Sequence, residues 1–591
     1  MDNGLGERSA DIESKLRSDW WKTIFDATYL MTDADAVEVP EITAAEVDAL
    51  LASVNVEPPD TILDLCCGQG RHCIELLDRG FTVTGVDGSD YLIGVAKERA
   101  GGRGRFFVND VRQAHPKDLG QFKLVTMMGN SFGYLEDESA DLDVLRAAYR
   151  LLEPGGTVYL DVADGDWLRE NFSPASWEWV GNNKMVARER KLSGDRLVSR
   201  EMVIDTHKGI EADRTYAERL YSRERICDLL RQVGFEAVRV IGSLGTSGYD
   251  PGMMAHRFTV VGTRTAHVTV LQGDPRLPDR VKPTGAFDAT DLDTVARMKD
   301  ALATLPGYRF SFVDDHTPET FAAKHKGDVV LNLCDEGYRN DPRSEALVPA
   351  TLEALGVPYT GAPASCLVLC YDKALTRTLA ASVGVPVPEE VSVLPGQPVP
   401  PWSRFPAFVK PSFGDSSVGI DASSLVHDRA GLEAAVEARR CHGPVLVQEY
   451  LSGAEYTVGL LGNGDTLHAL PVLSVDYSNL GDDVVPILGY ESKWVAGTPW
   501  WEQLKYHESK ALALNERLIE LSKTLFDLMG CRDYARFDWR CDNDGNPKLL
   551  EVNPNPGWCW DGKMALMAEM GGKSYPWLLE QIIRSATQRL R

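Results

Sequence analysis

The chain has 591 residues, more than one hydrophobic core accommodates, so two or more domains are expected. Hydrophobic residues make up 43 % and charged residues 25 %, as in ordinary folded protein; the formal net charge of −25 argues against a broad nucleic-acid or acidic-membrane surface, since both partners are polyanions. The opening MDNGLGERSADIESK lacks the apolar core of a signal peptide, and no apolar run approaches the roughly 20 residues of a membrane span. The eleven cysteines follow neither a CxxC nor a disulfide spacing, so free thiols and a cytoplasmic location are expected.

Two α/β patterns follow one another, with a seam near 262–268. Residues 61–65 (TILDL) read as a short buried strand running into CCGQG and then a helix over 71–77. A second strand over 82–86 ends at Asp87, a further helix follows, and strands fit 105–108, 124–127 and 158–162. Such alternation predicts a parallel, doubly wound sheet. Between 184 and 206 the pattern switches to apolar–polar alternation, which predicts an antiparallel insertion within about 175–220. A helix over 223–233 and two last strands close the first pattern, and the apolar run 268–271 opens the second.

DLCCGQG places glycines 68 and 70 directly after a buried strand, where a missing Cβ lets backbone approach a ligand. Asp87 ends the next strand about twenty residues on, where an acid can take both hydroxyls of a ribose. Asn109, Asp110 and Val111 follow the third strand, where an adenine amino group would be read. Cys73 stands at the third glycine position of a dinucleotide loop and disfavours a dinucleotide.

With DLCCGQGRH, VTGVDGSDYL, VNDVR, GNSFGY and LLEPGGTVYLDV in order, residues 15–262 resemble class I S-adenosylmethionine (SAM)-dependent methyltransferases. The resemblance implies a Rossmann-like sheet and a SAM site with Asp64, Gly68 and Gly70 on the methionine moiety, Asp87, Gly88 and Ser89 on the ribose, and Asp110 and Val111 on the adenine. It also implies that Asn130 and the turn 131–134 floor the cofactor and open onto the methyl acceptor. WWKTIFDATYL is similar to the cap helix of small-molecule methyltransferases, with Tyr29 facing the sulfonium, although Trp20, Trp21 and Tyr29 also suit plain helix packing. Methyl transfer is mainly positioning; if a base is needed, Tyr134, Asp164 and His256 are the candidates, with Tyr134 the catalytic choice.

In the second half a glycine/serine loop, KPSFGDSSVG at 410–419, follows a strand at 407–409 and suits a triphosphate without being a Walker loop. A strand at 445–451 ends in QEYL, with Glu455 four residues further. Asp538, Glu551 and Asn553 interrupt two apolar segments, ARFDWR and LLEVN. Oxygen donors without histidine or cysteine select Mg²⁺ completed by ATP phosphates.

These features, with LNLCDEG, SEALVPATLEALGVPYTGA and YDKALTRTLAASVGVPVP, resemble the D-alanine–D-alanine ligase branch of the ATP-grasp superfamily over 268–583. The resemblance implies a three-subdomain α+β ligase. It places Lys373, Lys410 and Lys493 on phosphates, Ser416 and Ser417 in a mobile loop, and Gln448, Glu449, Tyr450 and Leu451 around adenine. Glu455 would bind ribose, and two Mg²⁺ ions (Mn²⁺ as an alternative) would sit on Asp538, Glu551 and Asn553. Arg536 and the N–H of Gly557 would cradle the tetrahedral intermediate as catalytic groups, beside Ser416. The first loop departs from the branch: LQGDPRLPD leaves only Asp274 or Asp279 to bind an amine. Trp494 replaces a tyrosine, and GWCWDGKM, with Trp558, Trp560, Asp561 and Lys563, replaces the small hydroxyl clamp for the acceptor. A D-alanine pair is therefore disfavoured.

The expected organisation is a methyltransferase domain over 1–264 and a ligase domain over 265–591, the latter divided into 265–365, 366–445 and 446–591. The expected activity is methylation, on N or O, of a small amino-acid-like metabolite, together with ATP-dependent amide formation through an acyl phosphate. A non-catalytic, SAM-binding first domain is the alternative. Partners are small molecules, with neither nucleic acid nor membrane, and a homodimer is left open.

Overall fold

The computed structural model describes residues 12–242, 256–279, 282, 285–318, 321, 324–325, 327–414, 417–481, 483–495 and 497–590. The chain divides into two compact units, Met1–Ala266 with Pro306–Tyr308, and His267–Leu305 with Arg309–Arg591. All eleven cysteines are free thiols, and no described helix is long and apolar enough to cross a membrane.

The first unit is built on β1 (Thr61–Leu65), β2 (Thr82–Asp87), β3 (Arg105–Val108), β4 (Phe122–Met127) and β5 (Leu152–Ala163). After an insertion of β6 (Ala175–Val180), β7 (Lys184–Ser193), β8 (Arg196–Asp205) and β9 (Gly209–Arg219) come β10 (Phe235–Gly242) and β11 (Arg257–Arg264). The main sheet runs β10-β11-β5-β4-β1-β2-β3. β1 to β5 pair in parallel, and β11 lies antiparallel to β5 and β10. This is the doubly wound α/β sheet that the strand–helix alternation predicts. The insertion is an antiparallel sheet, β6-β7-β8-β9. β4 and β5 begin earlier than predicted, at Phe122 and Leu152, two buried apolar residues that pair with each other ahead of a register shift. One apolar layer of the core packs Leu63, Leu65, Val125 and Val158 against Leu145, Leu151 and Leu230 of the helices.

The second unit carries three sheets. β12 (Ala266–Leu271) lies between β13 (Tyr308–Val313) and β14 (Val329–Asn332). β15 (Glu390–Val393), β16 (Ala407–Pro411), β17 (Leu425–Val426) and β18 (Val445–Glu449) form an antiparallel sheet in the order β15-β18-β16-β17. In the third, β19 (Glu455–Leu461), β20 (His468–Ala469), β21 (Leu473–Asp476), β22 (Lys505–Glu508), β23 (Tyr534–Cys541) and β24 (Pro547–Asn553) pair in the order β22-β21-β19-β23-β24, with β20 added to β19. Its core is Val458, Leu460, Phe537 and Trp539 against Leu518, Leu525 and Phe526 of the helix Leu512–Met529. Trp539 is fully buried and its indole N–H donates to Ser522 at 3.1 Å, so the one polar atom of the ring is satisfied.

Gly85, in the middle of β2, is forced by packing. A Cβ there would lie 2.7 Å from Cys67 Sγ and 2.8 Å from Phe106, both buried. Gly85→Ala is therefore expected to destabilise the first unit by about 1–3 kcal/mol through overpacking. The measurement is denaturant unfolding with separate transitions for the two units; an unchanged first transition would show that the contact gives way freely.

Candidate active sites

The first unit holds a cavity of about 230 Å³ at the carboxyl ends of β1, β2 and β4. The strand order reverses between β1 and β4, the position at which open α/β sheets bind ligands. Three strand-end turns reach it, with Gly68 after β1, Asp87, Gly88 and Ser89 at β2, and Asn130 after β4. Two non-glycine residues at positive φ, Cys66 (63°) and Asn130 (57°), lie on this wall. Backbone strain of this kind is held where surrounding contacts over-determine it.

Asp87 accepts the N–H groups of Gly68 (2.9 Å) and Ser89 (2.8 Å), and burial pushes its carboxyl upward despite them. Ser89 caps the helix Asp90–Ala100 through Leu92 N–H and donates to Phe25 O at 2.7 Å, tying the N-terminal segment to the turn. Val111 gives the cavity an apolar wall, whereas Asp110 is engaged by Arg112 at 2.6 Å and held low by it. Asn130 is fixed on both sides of its amide: it accepts Ala163 N–H at 2.8 Å and donates to Glu218 at 2.8 Å and Tyr134 at 3.2 Å. Tyr29 lines the cavity edge-on to Phe25.

Several residues expected at the site are engaged elsewhere or differently in this structure. Asp64 does not line the cavity. It lies within the sheet, accepting Thr126 Oγ1 at 2.9 Å and Cys73 Sγ at 3.5 Å, and burial pushes it to about 7. Gly70 is a packing glycine at φ +77°, whose Cβ would meet Ala96 at 2.9 Å and Phe106 at 3.2 Å. Tyr134 lines the cavity, but burial keeps its phenol protonated and it donates to Glu218 at 3.3 Å, so it positions rather than accepts a proton. Asp164 caps the helix Gly165–Glu170 and pairs with Arg223 at 2.8 Å, and His256 stacks on Trp167 at 3.5 Å; neither lines the cavity.

The sequence reading missed a buried charge network at the opposite wall. Glu46 meets Arg71 (2.5 Å), His72 (2.8 Å) and Arg257, and Arg257 also meets Asp161 (2.7 Å). Burial alone would raise Glu46; His72, Arg71 and Arg257 together hold it well below the carboxylate range. His72, buried beside Arg71, drops to about 4 and is neutral. Glu46, Arg71 and Arg257 come from three distant segments, so no spacing could reveal them.

In the second unit a cavity of about 100 Å³ gathers Lys410, Ser417, Gln448, Glu449, Tyr450, Leu451, Glu455, Lys493, Asp538 and Glu551. Asp538 and Glu551 are direct cross-strand partners on β23 and β24, next to the pair Arg536–Asn553, and a bulge interrupts the ladder at Asp538/Trp539. Asp538 accepts from Arg536 (3.0 Å), Asn553 (3.2 Å), Thr457 (2.8 Å) and Lys563 (3.3 Å). Burial opposes its ionisation, yet Arg536 and Lys563 hold it well below the usual range. Glu551 is likewise held low against burial, by Lys373 at 3.8 Å with Lys493 and Lys410. Gln448 Nε2 is buried without a partner, an orphaned donor on the cavity wall.

Glu449 lines the cavity while its carboxylate is taken by Lys548 (2.5 Å) and Glu389 N–H (2.8 Å), and Glu455 accepts from Tyr477 at 2.7 Å. Lys373, Arg536 and Asn553 adjoin the cavity through Glu551 and Asp538 rather than lining it. Ser416 lies outside the described residues. Gly557 is off the cavity wall, with Asp335 Oδ2 3.7 Å from where its Cβ would stand. Of the amine-binding candidates, Asp274 is committed to Arg276 (2.7 Å) and Asp279 accepts Lys282 N–H at 3.2 Å. Lys563, expected in the acceptor clamp, reaches the carboxylate pair instead. No group of three or more His, Cys, Asp or Glu set to hold a metal ion occurs among the described residues; the oxygen donors are two carboxylates and one amide.

A family model described as methyltransferase domain matches residues 62–156, and one described as D-ala D-ala ligase C-terminus matches residues 396–584. A D-alanine–D-alanine ligase of Haemophilus influenzae is 31 % identical over 245 residues, covering 39 % of this chain and 75 % of that protein. One from Haemophilus ducreyi is 29 % identical over 301 residues, 49 % of this chain and 91 % of that protein. An uncharacterised protein, y4sG, of Sinorhizobium fredii is 37 % identical over 265 residues, 44 % and 75 % respectively. The chain belongs to the D-alanine–D-alanine ligase family. It joins to that ATP-grasp ligase a methyltransferase domain, so both a transferase and a ligase domain reside in one polypeptide.

Within the ligase unit, burial together with Arg377 and Lys373 pushes Lys410 down to about 7. Its amine is therefore largely neutral above that pH, and a polyphosphate beside it would draw the proton back. ATP binding at pH 8 is expected to take up close to one proton, falling toward none at pH 6. Calorimetry in buffers of contrasting ionisation enthalpy measures the uptake. Lys410→Met should abolish it, and uptake that persists in this variant would assign the titration to another group.

Proposed function

We propose that the first unit transfers a methyl group from SAM to a small molecule and that the second joins a carboxylate to an amine at the expense of ATP. The observation that carries the ligase reading is the pairing of Asp538 with Glu551 inside a cavity that also holds Lys410, Lys493 and an unpartnered Gln448 donor. This donor set fits Mg²⁺ and a triphosphate. Hard oxygens on adjacent strands suit the ion, phosphate oxygens would complete its shell, and the lysines match the phosphate charge. Two metal ions are the number the family resemblance implies. When bound, ATP supplies the phosphoryl group that turns an unreactive carboxylate into an acyl donor.

The chain's own residues then have defined tasks. Lys373, Lys410 and Lys493 would screen the repulsion between a substrate carboxylate and the phosphates. Asp538, Glu551 and Asn553 would hold the metal. Arg536, raised by Asp538 and Glu551 against its burial, stays a cation beside them and would stabilise charge building on the carbonyl oxygen. In the methyltransferase unit Asp87, fixed by two backbone N–H groups, would bind the ribose hydroxyls, and Val111 would pack against the adenine. The bulky Trp558, whose indole donates to Asp335 at 3.1 Å, together with Lys563 supports an acceptor other than D-alanine, within an amino-acid-like class.

Glu551→Gln keeps the side-chain shape and removes one charge. Amine-dependent ADP release should fall steeply, by about 10²-fold or more, while the melting temperature holds and methyl transfer is untouched. Full ligase turnover in this variant would remove Glu551 from the site. Asp87→Ala should weaken SAM binding by about ten- to a hundredfold, the worth of a charged hydrogen bond, and leave ADP release unchanged; undiminished affinity by calorimetry would contradict its role.

A further inference from the structure

The cavity of the methyltransferase unit has an aromatic wall in which Phe25 and Tyr134 extend from Tyr29, the ring that the resemblance turns toward the sulfonium. Phe25 stands 5.3 Å from Tyr29 and 5.9 Å from Tyr134, centroid to centroid, and all three rings line the cavity. Asp33 lines it too, with 40 % of its side chain open. Asp33 stands at the N-terminus of a short helix without capping it, and its carboxylate accepts from Thr32 Oγ1 at 2.8 Å. The nearest cation, Arg188, stays 3.9 Å away because it is taken by Glu201 at 2.8 Å and by Glu178. Arg71 and Arg257, which line the cavity, are already matched by Glu46 and Asp161.

An electron-rich aromatic wall beside a lightly paired carboxylate attracts a cation, and repels an anionic acceptor. We propose that the methyl acceptor is an amine, held as its ammonium by Phe25, Tyr29, Tyr134 and Asp33, so that the first unit is an N-methyltransferase. The inference rests on the reading of this unit as a SAM-dependent methyltransferase. Asp33 takes one proton from the ammonium. The freed nitrogen lone pair forms the N–C bond while the methyl carbon's bond to sulfur breaks, its electron pair remaining on sulfur as a neutral thioether. Although 40 % of its side chain is open, the protein packed around Asp33 desolvates its carboxyl and, with Glu201 adding and Arg188 and Arg214 opposing, raises it to about 6, so it is ionised and able to accept at neutral pH. The groups facing it are Thr32 and Tyr29 on its own segment, Tyr134 on the turn after β4, Arg188 on β7, Glu201 on β8, and Arg214 and Tyr216 on β9.

The test uses the full chain saturated with S-adenosylhomocysteine, so that the cofactor's place is filled, and tetramethylammonium as the probe, with tert-butanol as its uncharged counterpart. Ligand-observed NMR should show binding of tetramethylammonium and not tert-butanol, weakened at least tenfold in Asp33→Asn and restored in Asp33→Glu. Equal binding of both probes, or a tetramethylammonium affinity unchanged in a folded Asp33→Asn, overturns the proposal. In turnover, primary and secondary amines should yield S-adenosylhomocysteine with an acid limb near pH 6 that Asp33→Asn loses. SAM binding with turnover only on carboxylate or hydroxyl acceptors overturns the amine assignment alone. Absence of SAM binding by calorimetry overturns the methyltransferase reading beneath it.

Discussion

Asp538, buried, and Glu551, half-buried, face each other across adjacent strands, and the ligase unit is organised around that repulsion. Two carboxylates so placed cannot both stay ionised unless cations stand close. Arg536 and Lys563 answer Asp538, and Lys373, Lys410 and Lys493 answer Glu551. The lysines are then crowded by one another and by their burial, which is why Lys410 falls to about 7 and Lys493 is lowered as well. Five basic side chains thus stand against two carboxylates, an excess of positive charge that suits a polyphosphate arriving with its metal ion.

The methyltransferase unit solves a smaller version of the same problem with backbone rather than cations. Asp87 is stabilised by the N–H groups of Gly68 and Ser89, which are also the groups that shape the turn, so loop conformation and site charge are one feature. Glu46 shows the opposite solution: one carboxylate shared by Arg71, Arg257 and a neutral His72. That network ties the helix Pro40–Ser53 to Arg71 after β1 and to Arg257 on β11, and Glu46, Arg71 and Arg257 all line the cavity.

What the sequence revealed follows how local each determinant is. The strands were legible because short apolar runs bounded by turn residues are local, and β1, β2 and β3 fall within a residue of the predicted runs. Asp538 and Glu551 were legible as carboxylates interrupting apolar segments, which burial makes expensive without a purpose, whereas Lys410 was marked by the loop after its strand and Gln448 by the family resemblance. Asp64 was misplaced for a related reason. It too interrupts an apolar strand, but its neighbour Thr126 on β4 satisfies it within the sheet, a pairing that depends on register and not on spacing. The Glu46–Arg257 contact spans 211 positions, and Lys563 reaches Asp538 from a different helix; such contacts are created by tertiary packing and leave no periodic trace.

Lys563 shows what the departure from the family's acceptor clamp does physically. The helix Lys563–Met570 starts at Gly562, and from its first position the ammonium touches both Asp538 Oδ1 (3.3 Å) and Thr457 Oγ1 (3.1 Å). A small or apolar residue there would leave Asp538 to Arg536, Asn553 and Thr457 alone. With lysine, any ion approaching Asp538 must displace a tethered cation that cannot leave the neighbourhood. The Lys563 ammonium lines the same cavity as Lys410, Lys493 and Glu551, so the charge it lends Asp538 belongs to the site itself.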